Sequence, residues 1–198
     1  MKVAILDYGA GNLHSLAKAL GRAGTEVSIE TDGQRALASD ALILPGVGAF
    51  SLAVDSMETH IPSIRAALAD GFPCLGICLG MQLLFDNSEE GEGEGIGFFP
   101  GQVRRLVGPR VPQIGWNDLE QPEGDLFEAS GLKTAYFANS FVCEPEDKTT
   151  IRSWATHEGD RFVASVESGN VVGVQFHPEK SSDRGIAFID AFLRRIAE

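Results

Sequence analysis

The sequence predicts an α/β fold: an open, mixed and mainly parallel sheet flanked by helices, with an additional antiparallel strand region in the second half. Strand and helix signals alternate through the first half, turn-separated strand signals fill the second, and an amphipathic helix ends the chain. A chain of 198 residues is expected to form a single domain that spans residues 1–198.

In the first half, short apolar runs predict four buried strands, at residues 3–6, 27–30, 41–44 and 75–77. Helical patterns lie between them. The first helix is expected at residues 13–22, with Asn12 as its N-cap and Gly24 after its end, and two more at residues 50–57 and 61–69. Because helices separate the strands, we expect parallel pairing with both faces of the sheet covered.

The second half is richer in strand signals. Residues 88–97 are rich in Glu and Gly and predict a surface loop, after which strand signals resume at Val103. Further strands are predicted at residues 135–141, 151–156, 162–166 and 171–176, and the short glycine-containing connections between the last three indicate hairpins. The closing helix carries an apolar stripe made of Ile186, Ile189, Leu193 and Ile196, with Phe188 and Phe192 beside it.

Composition narrows the class of protein. The hydrophobic share of 43% and the charged share of 22% are ordinary for a globular domain. A net charge of −12 argues against nucleic acid as a partner, because phosphates would repel it. No apolar run approaches the length of a membrane span, and three cysteines without paired spacing predict reduced thiols and no zinc site. We therefore expect a cytoplasmic protein without a membrane partner.

Residues 76–80 (Gly-Ile-Cys-Leu-Gly) have the layout of a nucleophile elbow with cysteine at the nucleophile position. The segment follows an apolar run and precedes a helical pattern at residues 79–85, and glycine tolerates the crowding of such a turn. A helix N-terminus favours the thiolate form of Cys78. A cysteine in apolar surroundings is otherwise a buried packing residue, which is our interpretation of Cys74 and Cys143.

A His-Pro-Glu segment at residues 177–179 supplies a base and a group to orient it. Pro178 biases His177 to an extended conformation, in which side chains two residues apart point the same way. Glu179 can then orient the imidazole and stabilise its charged form, which completes a Cys-His-Glu triad. The remaining histidines are expected to be solvated: His14, His60 and His157.

A glycine-rich loop at residues 45–48 (Pro-Gly-Val-Gly) follows a predicted strand and opens a helix. Phosphate binding is the weaker hypothesis, because the loop lacks the lysine of a P-loop. In elbow hydrolases, one oxyanion donor is the N–H after the nucleophile, here that of Leu79, and the second comes from a strand-to-helix loop of this kind. A plain tight turn is the alternative interpretation.

Together, residues 76–82 (Gly-Ile-Cys-Leu-Gly-Met-Gln) and 175–179 (Gln-Phe-His-Pro-Glu) resemble the triad-type, class I glutamine amidotransferase family. Within that family the chain is similar to the glutaminase subunits of imidazole glycerol phosphate synthase, from histidine biosynthesis. This closer resemblance spans nearly the whole chain and rests on further segments at residues 7–13, 45–48, 115–117 and 180–181. The family's flavodoxin-like sheet is the fold that it implies.

The resemblance implies a reaction. Cys78 would attack the side-chain amide of glutamine, while His177, held by Glu179, takes the thiol proton and gives a proton to the leaving ammonia. Water activated by the same histidine would then hydrolyse the γ-glutamyl thioester. Gly48 and Leu79 would donate the oxyanion-hole hydrogen bonds, and neither a cofactor nor a metal is implied.

The resemblance also implies a partner. Ammonia would pass, without release to solvent, into a separate (β/α)₈-barrel cyclase subunit that forms a heterodimer with this chain and makes imidazole glycerol phosphate and AICAR. The residues implied in glutamine binding are Gln82, Asn139 and Ser140. The residues implied in contact with the cyclase are Asn12, Trp116 and Lys180.

Two segments depart from the family's usual pattern. Where the family commonly has Tyr-Phe-Val-His-Ser-Tyr, this chain has Ala138, Asn139 and Phe141 at the third, fourth and sixth positions. Where the family commonly has His-Met before Gly-Trp-Asn, this chain has Gln113 and Ile114. Amides form hydrogen bonds but cannot carry charge. The triad is intact, so we expect the chemistry to survive.

Three alternatives stay open from the sequence. The first is another class I glutaminase, such as the one that serves pyridoxal phosphate synthase. The second is a free-standing hydrolase of γ-glutamyl bonds, whose activity would not depend on a partner. The third is a non-catalytic binding or regulatory module that kept the fold. Partner dependence and the reactivity of Cys78 toward a glutamine analogue distinguish them.

Overall fold

The computed structural model describes residues 1–9, 13–21 and 24–197. Asn12 and Arg22, at the two ends of the first predicted helix, lie outside this part of the chain. The described strands are β1 (Lys2–Leu6), β2 (Glu26–Glu30), β3 (Ala41–Leu44), β4 (Cys74–Ile77), β5 (Asn87–Ser88), β6 (Gly101–Arg105), β7 (Gln113–Asp118), β8 (Thr134–Asn139), β9 (Phe141–Pro145), β10 (Ile151–His157), β11 (Asp160–Ser168) and β12 (Val171–Val174).

The described α-helices are α1 (Leu13–Gly21), α2 (Gly33–Ala36), α3 (Phe50–Met57), α4 (Ile61–Ala69), α5 (Leu79–Leu83), α6 (Asp125–Ser130) and α7 (Ser182–Ala197). Two single turns of 3₁₀ helix accompany them, at Lys148–Thr150 and Pro178–Lys180. Within the described ranges, we find no helix with the length and apolar character that crossing a membrane requires.

A seven-stranded mixed sheet forms the centre of the molecule, in the order β10-β11-β12-β4-β3-β1-β2. Strands β2, β1, β3, β4 and β12 pair in parallel, whereas β11 and β10 add at one edge as antiparallel strands. Two small sheets, β5-β6-β9 and β7-β8, complete the second half. The predicted fold class is therefore confirmed, including the antiparallel region.

The central strands are buried on both faces, which explains why they are continuous apolar runs in the sequence. In β3, Ala41 and Ile43 join one apolar cluster while Leu42 and Leu44 join the other, because successive side chains of a strand alternate. Helices α1, α6 and α7 cover the first cluster, and α3, α4 and α5 cover the second. On α7, Phe188 is fully buried, whereas Ile186 of the predicted stripe is only partly buried.

Several predicted elements differ from the structure. The strand predicted at residues 135–141 is two strands: β8 ends at Asn139 and pairs with β7, and β9 begins at Phe141 and pairs with β6. Strand β7 and the short helices α2 and α6 were not predicted. The helix predicted at residues 79–85 ends at Leu83. Residues 88–97 are largely loop, as predicted, although Ser88 ends β5.

The carboxyl ends of β3 and β4 come into direct backbone contact, and glycines make this possible. A Cβ atom placed on Gly80 would collide with the carbonyl oxygen of Leu44, and one on Gly46 would collide with the carbonyl oxygen of Ile77. Neither obstacle is the end of a flexible side chain, so neither can move aside cheaply. The elbow and the glycine-rich loop therefore pack against each other only because both carry glycine.

Gly80→Ala is expected to destabilise the fold by about 3 kcal/mol, because the added methyl group forces the ends of β3 and β4 apart. Gly21→Ala is the matched control: its Cβ would meet no atom of the described residues within 4 Å, so the change is neutral or stabilises α1 by up to about 1 kcal/mol. Urea unfolding of both variants measures the difference. Equal stability of the two variants would contradict this account of the backbone contact.

Candidate active site

Cys78 occupies a sharp turn between β4 and α5. Its backbone dihedrals, φ 50° and ψ −104°, lie in a region that residues with a side chain rarely adopt. The backbone N–H of Cys78 donates a 2.7 Å hydrogen bond to the carbonyl of Val174 on β12, which holds the turn in place. This strained strand-to-helix turn is the geometry of a nucleophile elbow, as the sequence predicts.

His177 reaches Cys78 because β12 lies beside β4. The two strands pair in parallel with Val174 opposite Ile77, so the chain leaves both strands at the same edge of the sheet. The backbone N–H of His177 then donates to the carbonyl of Tyr136 on β8, at 2.8 Å. Residues almost a hundred positions apart in sequence are thus held together by the register of two neighbouring strands.

Glu179 orients the imidazole of His177. The histidine Nδ1 and the Glu179 Oε1 are 2.9 Å apart, and both side chains are nearly buried. With Nδ1 engaged, Nε2 is the ring nitrogen left for chemistry, and it is buried without a hydrogen-bond partner among the described residues. Nucleophile, base and orienting carboxylate therefore have the arrangement of a catalytic triad.

The electrostatics of His177 favour its protonated form. Burial lowers the pKa of His177, but the sulfur of Cys78 and the carboxylate of Glu179 outweigh burial and raise the pKa to about 9. At neutral pH the imidazole thus carries a proton that it can give to a leaving group.

A small cavity of about 170 Å³ opens at the sulfur of Cys78. Sites for drug-sized ligands measure roughly 300–1,000 Å³, so this cavity suits a ligand of amino-acid size. The residues that the sequence predicts for the oxyanion hole and for glutamine binding all line it: Gly48, Leu79, Gln82, Asn139 and Ser140. The structure therefore brings together the whole predicted set around the nucleophile.

Glu90 also lines the cavity, and sequence reasoning missed it. Its Oε2 accepts a 2.8 Å hydrogen bond from the backbone N–H of Phe50, the first residue of α3. Ala49 provides no side-chain cap for that helix, so Glu90 caps it from a distant loop. The acidic residues of the 88–97 loop look alike in the sequence, and no local signal distinguishes Glu90 from Glu92.

Gln175 is a second missed residue. Its side chain is fully buried, and its Nε2 donates a 3.4 Å hydrogen bond to the sulfur of Cys78. Ser181 is a third: its hydroxyl donates to the carbonyl of His177 at 2.6 Å and accepts from the N–H of Tyr136 at 2.9 Å. Both residues flank the His-Pro-Glu segment in the sequence, which is the only signal that points to them.

Two of the three predicted interface residues, Trp116 and Lys180, lie on one face of the molecule. Trp116 on β7 is 55% exposed, and its ring lies edge-on against Tyr136 with the ring centroids 6.3 Å apart. The ammonium group of Lys180 lies 5.8 Å from the centre of the same Tyr136 ring. Tyr136 thus joins two predicted residues into one surface, although the sequence analysis did not assign it. Asn12 lies outside the described residues.

The other two cysteines have no place in this chemistry. Cys74 and Cys143 are buried, and burial raises the pKa of each thiol well above its ordinary value, so both stay neutral. Among the described residues, we find no cluster of His, Cys, Asp or Glu side chains that could hold a metal ion. The polar groups of the site are those of a hydrolytic triad and its substrate pocket.

Comparison with known proteins assigns the class. The family described as glutamine amidotransferase class-I matches residues 4–196. The chain belongs to this family, whose members act on the amide of glutamine, and the cysteine triad is consistent with that chemistry.

Curated relatives lie within the same family and match this chain nearly from end to end. Three of them are named imidazole glycerol phosphate synthase subunit HisH. The protein from Aquifex aeolicus is 43% identical to this chain, and the alignment covers 98% of this chain and 97% of that protein. The protein from Corynebacterium glutamicum is 42% identical, and its alignment covers 98% of both proteins. The protein from Acaryochloris marina is 40% identical, and its alignment covers 98% of this chain and 94% of that protein.

Solved structures share the fold at lower identity. One, titled as the crystal structure of a glutamine amidotransferase, matches with a TM-score of 0.76 at 21% identity and covers 99% of both chains. A chain of PurLQS from Thermotoga maritima matches with a TM-score of 0.74 at 21% identity and covers 98% of both chains. At this identity the similarity demonstrates the fold.

Glu179→Gln is expected to lower the pKa of His177 from about 9 toward its ordinary value of 6.5, because the charged partner of the imidazole is lost. Folding raises this pKa, so the contribution of His177 to stability is complete below about pH 6.5 and is lost as the pH rises through about 9. NMR titration of the His177 ring measures the pKa directly. An unchanged midpoint in the variant would remove Glu179 from this role.

Proposed function

We propose that this chain is the glutaminase subunit of an imidazole glycerol phosphate synthase. It hydrolyses glutamine to glutamate and ammonia and delivers the ammonia to a cyclase subunit in histidine biosynthesis. The observation that carries the proposal is 40–43% identity, over nearly the whole chain, to relatives named as that subunit, combined with an intact triad.

In the first step, the sulfur of Cys78 attacks the side-chain amide carbon of glutamine. Electrons move onto the amide oxygen, where the N–H groups of Leu79 and Gly48, both at the cavity, stabilise the negative charge. The C–N bond then breaks as protonated His177 transfers its proton from Nε2 to the amide nitrogen, which leaves as ammonia. The product is a γ-glutamyl thioester on Cys78 and a neutral His177.

In the second step, water attacks the thioester. His177 is now neutral, so its Nε2 can accept a proton from the water as it attacks, while Glu179 stabilises the imidazolium that forms. Collapse of the tetrahedral intermediate breaks the C–S bond and restores the thiolate beside the imidazolium. The new carboxyl group gives its remaining proton to solvent as glutamate leaves. One histidine therefore serves as acid in the first step and as base in the second.

The lining of the cavity supports glutamine as the substrate. Within the described residues, Glu90 is the carboxylate that lines it, and a carboxylate is the natural partner of the α-ammonium group of glutamine. Gln82 uses its amide nitrogen to donate to the carbonyl of Phe141 and to Gln175, so its amide oxygen is the atom left for a ligand. Asn139 and Ser140 border the same space.

The exposed surface supports a cyclase subunit as the partner. Ile114 and Trp116 are 68% and 55% exposed, and large apolar side chains exposed together on one strand are typical of an interface. This surface adjoins the active site, because Tyr136 beneath Trp116 accepts the backbone hydrogen bond of His177. We propose that the partner is a (β/α)₈ barrel and that it forms a heterodimer with this chain. We further propose that residues 1–198 act as one domain and that the complex works in the cytoplasm.

Glu90→Gln is expected to raise the KM for glutamine by about tenfold or more with little change in kcat, because it removes a charge that binds the substrate but does not act on the reacting amide. The side-chain amide oxygen introduced at position 90 can still accept the hydrogen bond from the N–H of Phe50 and cap α3, so the fold is preserved. Glu92→Gln, in an exposed position of the same loop, is the matched control and leaves KM unchanged. Steady-state glutaminase assays of both variants provide the comparison.

The proposed function is tested by measuring glutamate release from glutamine by the purified chain, alone and with the cognate cyclase subunit and its ribotide ligand. We expect low activity alone, a large increase in the complex, and no activity in Cys78→Ala. Equal turnover with and without the partner would instead indicate a free-standing glutaminase. Absence of turnover under both conditions would refute the proposal.

A further inference from the structure

A series of hydrogen bonds between buried side-chain amides connects the backbone carbonyl of Phe141 to the sulfur of Cys78. The carbonyl of Phe141 accepts from Gln82 Nε2 at 3.1 Å, Gln175 Oε1 accepts from the same nitrogen at 3.2 Å, and Gln175 Nε2 donates to the sulfur of Cys78 at 3.4 Å. We propose that the hydrogen bond from Gln175 stabilises the sulfur of Cys78 when it becomes a thiolate and can no longer donate to the carbonyl of Ala138, 3.8 Å away. Gln82 and the Phe141 carbonyl fix the direction of that hydrogen bond.

The direction of these hydrogen bonds is set by the carbonyl group of Phe141, where the series begins. A backbone carbonyl can only accept, so the atom of Gln82 that faces Phe141 must be its donor nitrogen. The second hydrogen on that nitrogen points to Gln175, so Gln175 must present its oxygen there. Its own nitrogen is then left facing Cys78. Asn139 Nδ2 occupies the other lone pair of the Phe141 carbonyl, at 3.1 Å, which fixes the starting point further.

Burial makes this donor effective. Gln175 has no exposed surface and Gln82 is 4% exposed, so water does not compete for the amide hydrogens that they share. A hydrogen bond to the charged form of a group favours that form, and the thiolate is a far better acceptor than the thiol. Because an amide does not titrate, Gln175 supplies this stabilisation at any pH, whereas the support from His177 ends when the imidazole loses its proton.

The inference rests on the proposed function only for the identity of the reaction. In that reaction, a donor at the sulfur serves both steps: it stabilises the attacking thiolate, and it stabilises the same thiolate when it leaves the thioester. Alkylation of Cys78 by iodoacetamide requires only the thiolate and no turnover of glutamine. The pH dependence of alkylation therefore tests Gln175 even if the chain acts on a different substrate.

The experiment compares the alkylation rate of Cys78 across pH in the wild-type chain and in Gln175→Leu, which keeps the size of the side chain but removes the donor. We expect the rate at low pH to fall by about tenfold and the pH midpoint of alkylation to move upward by about one unit. Ser153→Ala is the matched control, because it removes a buried 2.6 Å hydrogen bond to Ser165 between β10 and β11 of the same sheet, and the hydrogen bonds of the Cys78 sulfur in the described residues go to Ala138 and Gln175.

Gln82→Leu tests the directional part. It frees Gln175 to rotate, so we expect a smaller upward move of the midpoint, and no further change when it is combined with Gln175→Leu. Additive effects of the two changes would overturn the fixed direction. An unchanged midpoint in a folded Gln175→Leu variant, or a change equal to that of Ser153→Ala, would overturn the role of Gln175.

A measurement on the intact side chain decides the matter if Gln175→Leu does not fold. The side-chain amide signals of Gln175 in the ¹H–¹⁵N spectrum are expected to move when Cys78 is alkylated and when the pH is taken through the alkylation midpoint. The exposed side-chain amide of Gln102 on β6 provides the internal reference. Signals of Gln175 that stay as still as this reference would refute the hydrogen bond.

Discussion

The active site depends on the close backbone contact between the ends of β3 and β4. Gly46 and Gly80 let the loop after β3 lie directly against the elbow after β4, where any side chain would collide with a carbonyl oxygen. This contact brings Gly48 and Leu79 to the same cavity as the sulfur of Cys78. The two backbone segments that we propose as donors to one oxyanion are therefore positioned by a single packing constraint rather than by two independent loops.

Much of the fold could be predicted because the central strands are buried on both faces and leave continuous apolar runs. The bounds of β3, α3 and α4 match the predictions to the residue. The failures have a common cause in tertiary structure. Residues 135–141 have strand-forming aromatic side chains on both sides of Asn139 and Ser140, which predicts a single strand, but the chain changes sheets at Ser140. Strand β7 contains Gly115, Asn117 and Asp118, residues that strands disfavour, and among the described strands its one partner is β8.

The triad could be predicted because its chemistry is concentrated in two short segments with a strict order of residue types. The supporting groups could not, because their roles arise from distant pairing. Gln175 reaches the sulfur only through the register of β12 against β4, and Glu90 reaches the cavity only because its loop folds back onto the start of α3. The roles of a buried glutamine and of one acidic residue among several become visible only when the segments that pack against them in the fold are known.

Gln113 and Asn139, the two amides that stand where the sequence resemblance implies histidines, lie next to each other in the structure. Gln113 and Asn139 are direct cross-strand partners on β7 and β8, so their side chains project from the same face, and both are buried. The amide oxygens of both have no hydrogen-bond partner among the described residues. Two imidazoles facing each other there would change charge near neutral pH, whereas two amides do not. The two positions are therefore coupled: a single histidine introduced at either would face an amide, and only histidines at both would place a titrating pair there.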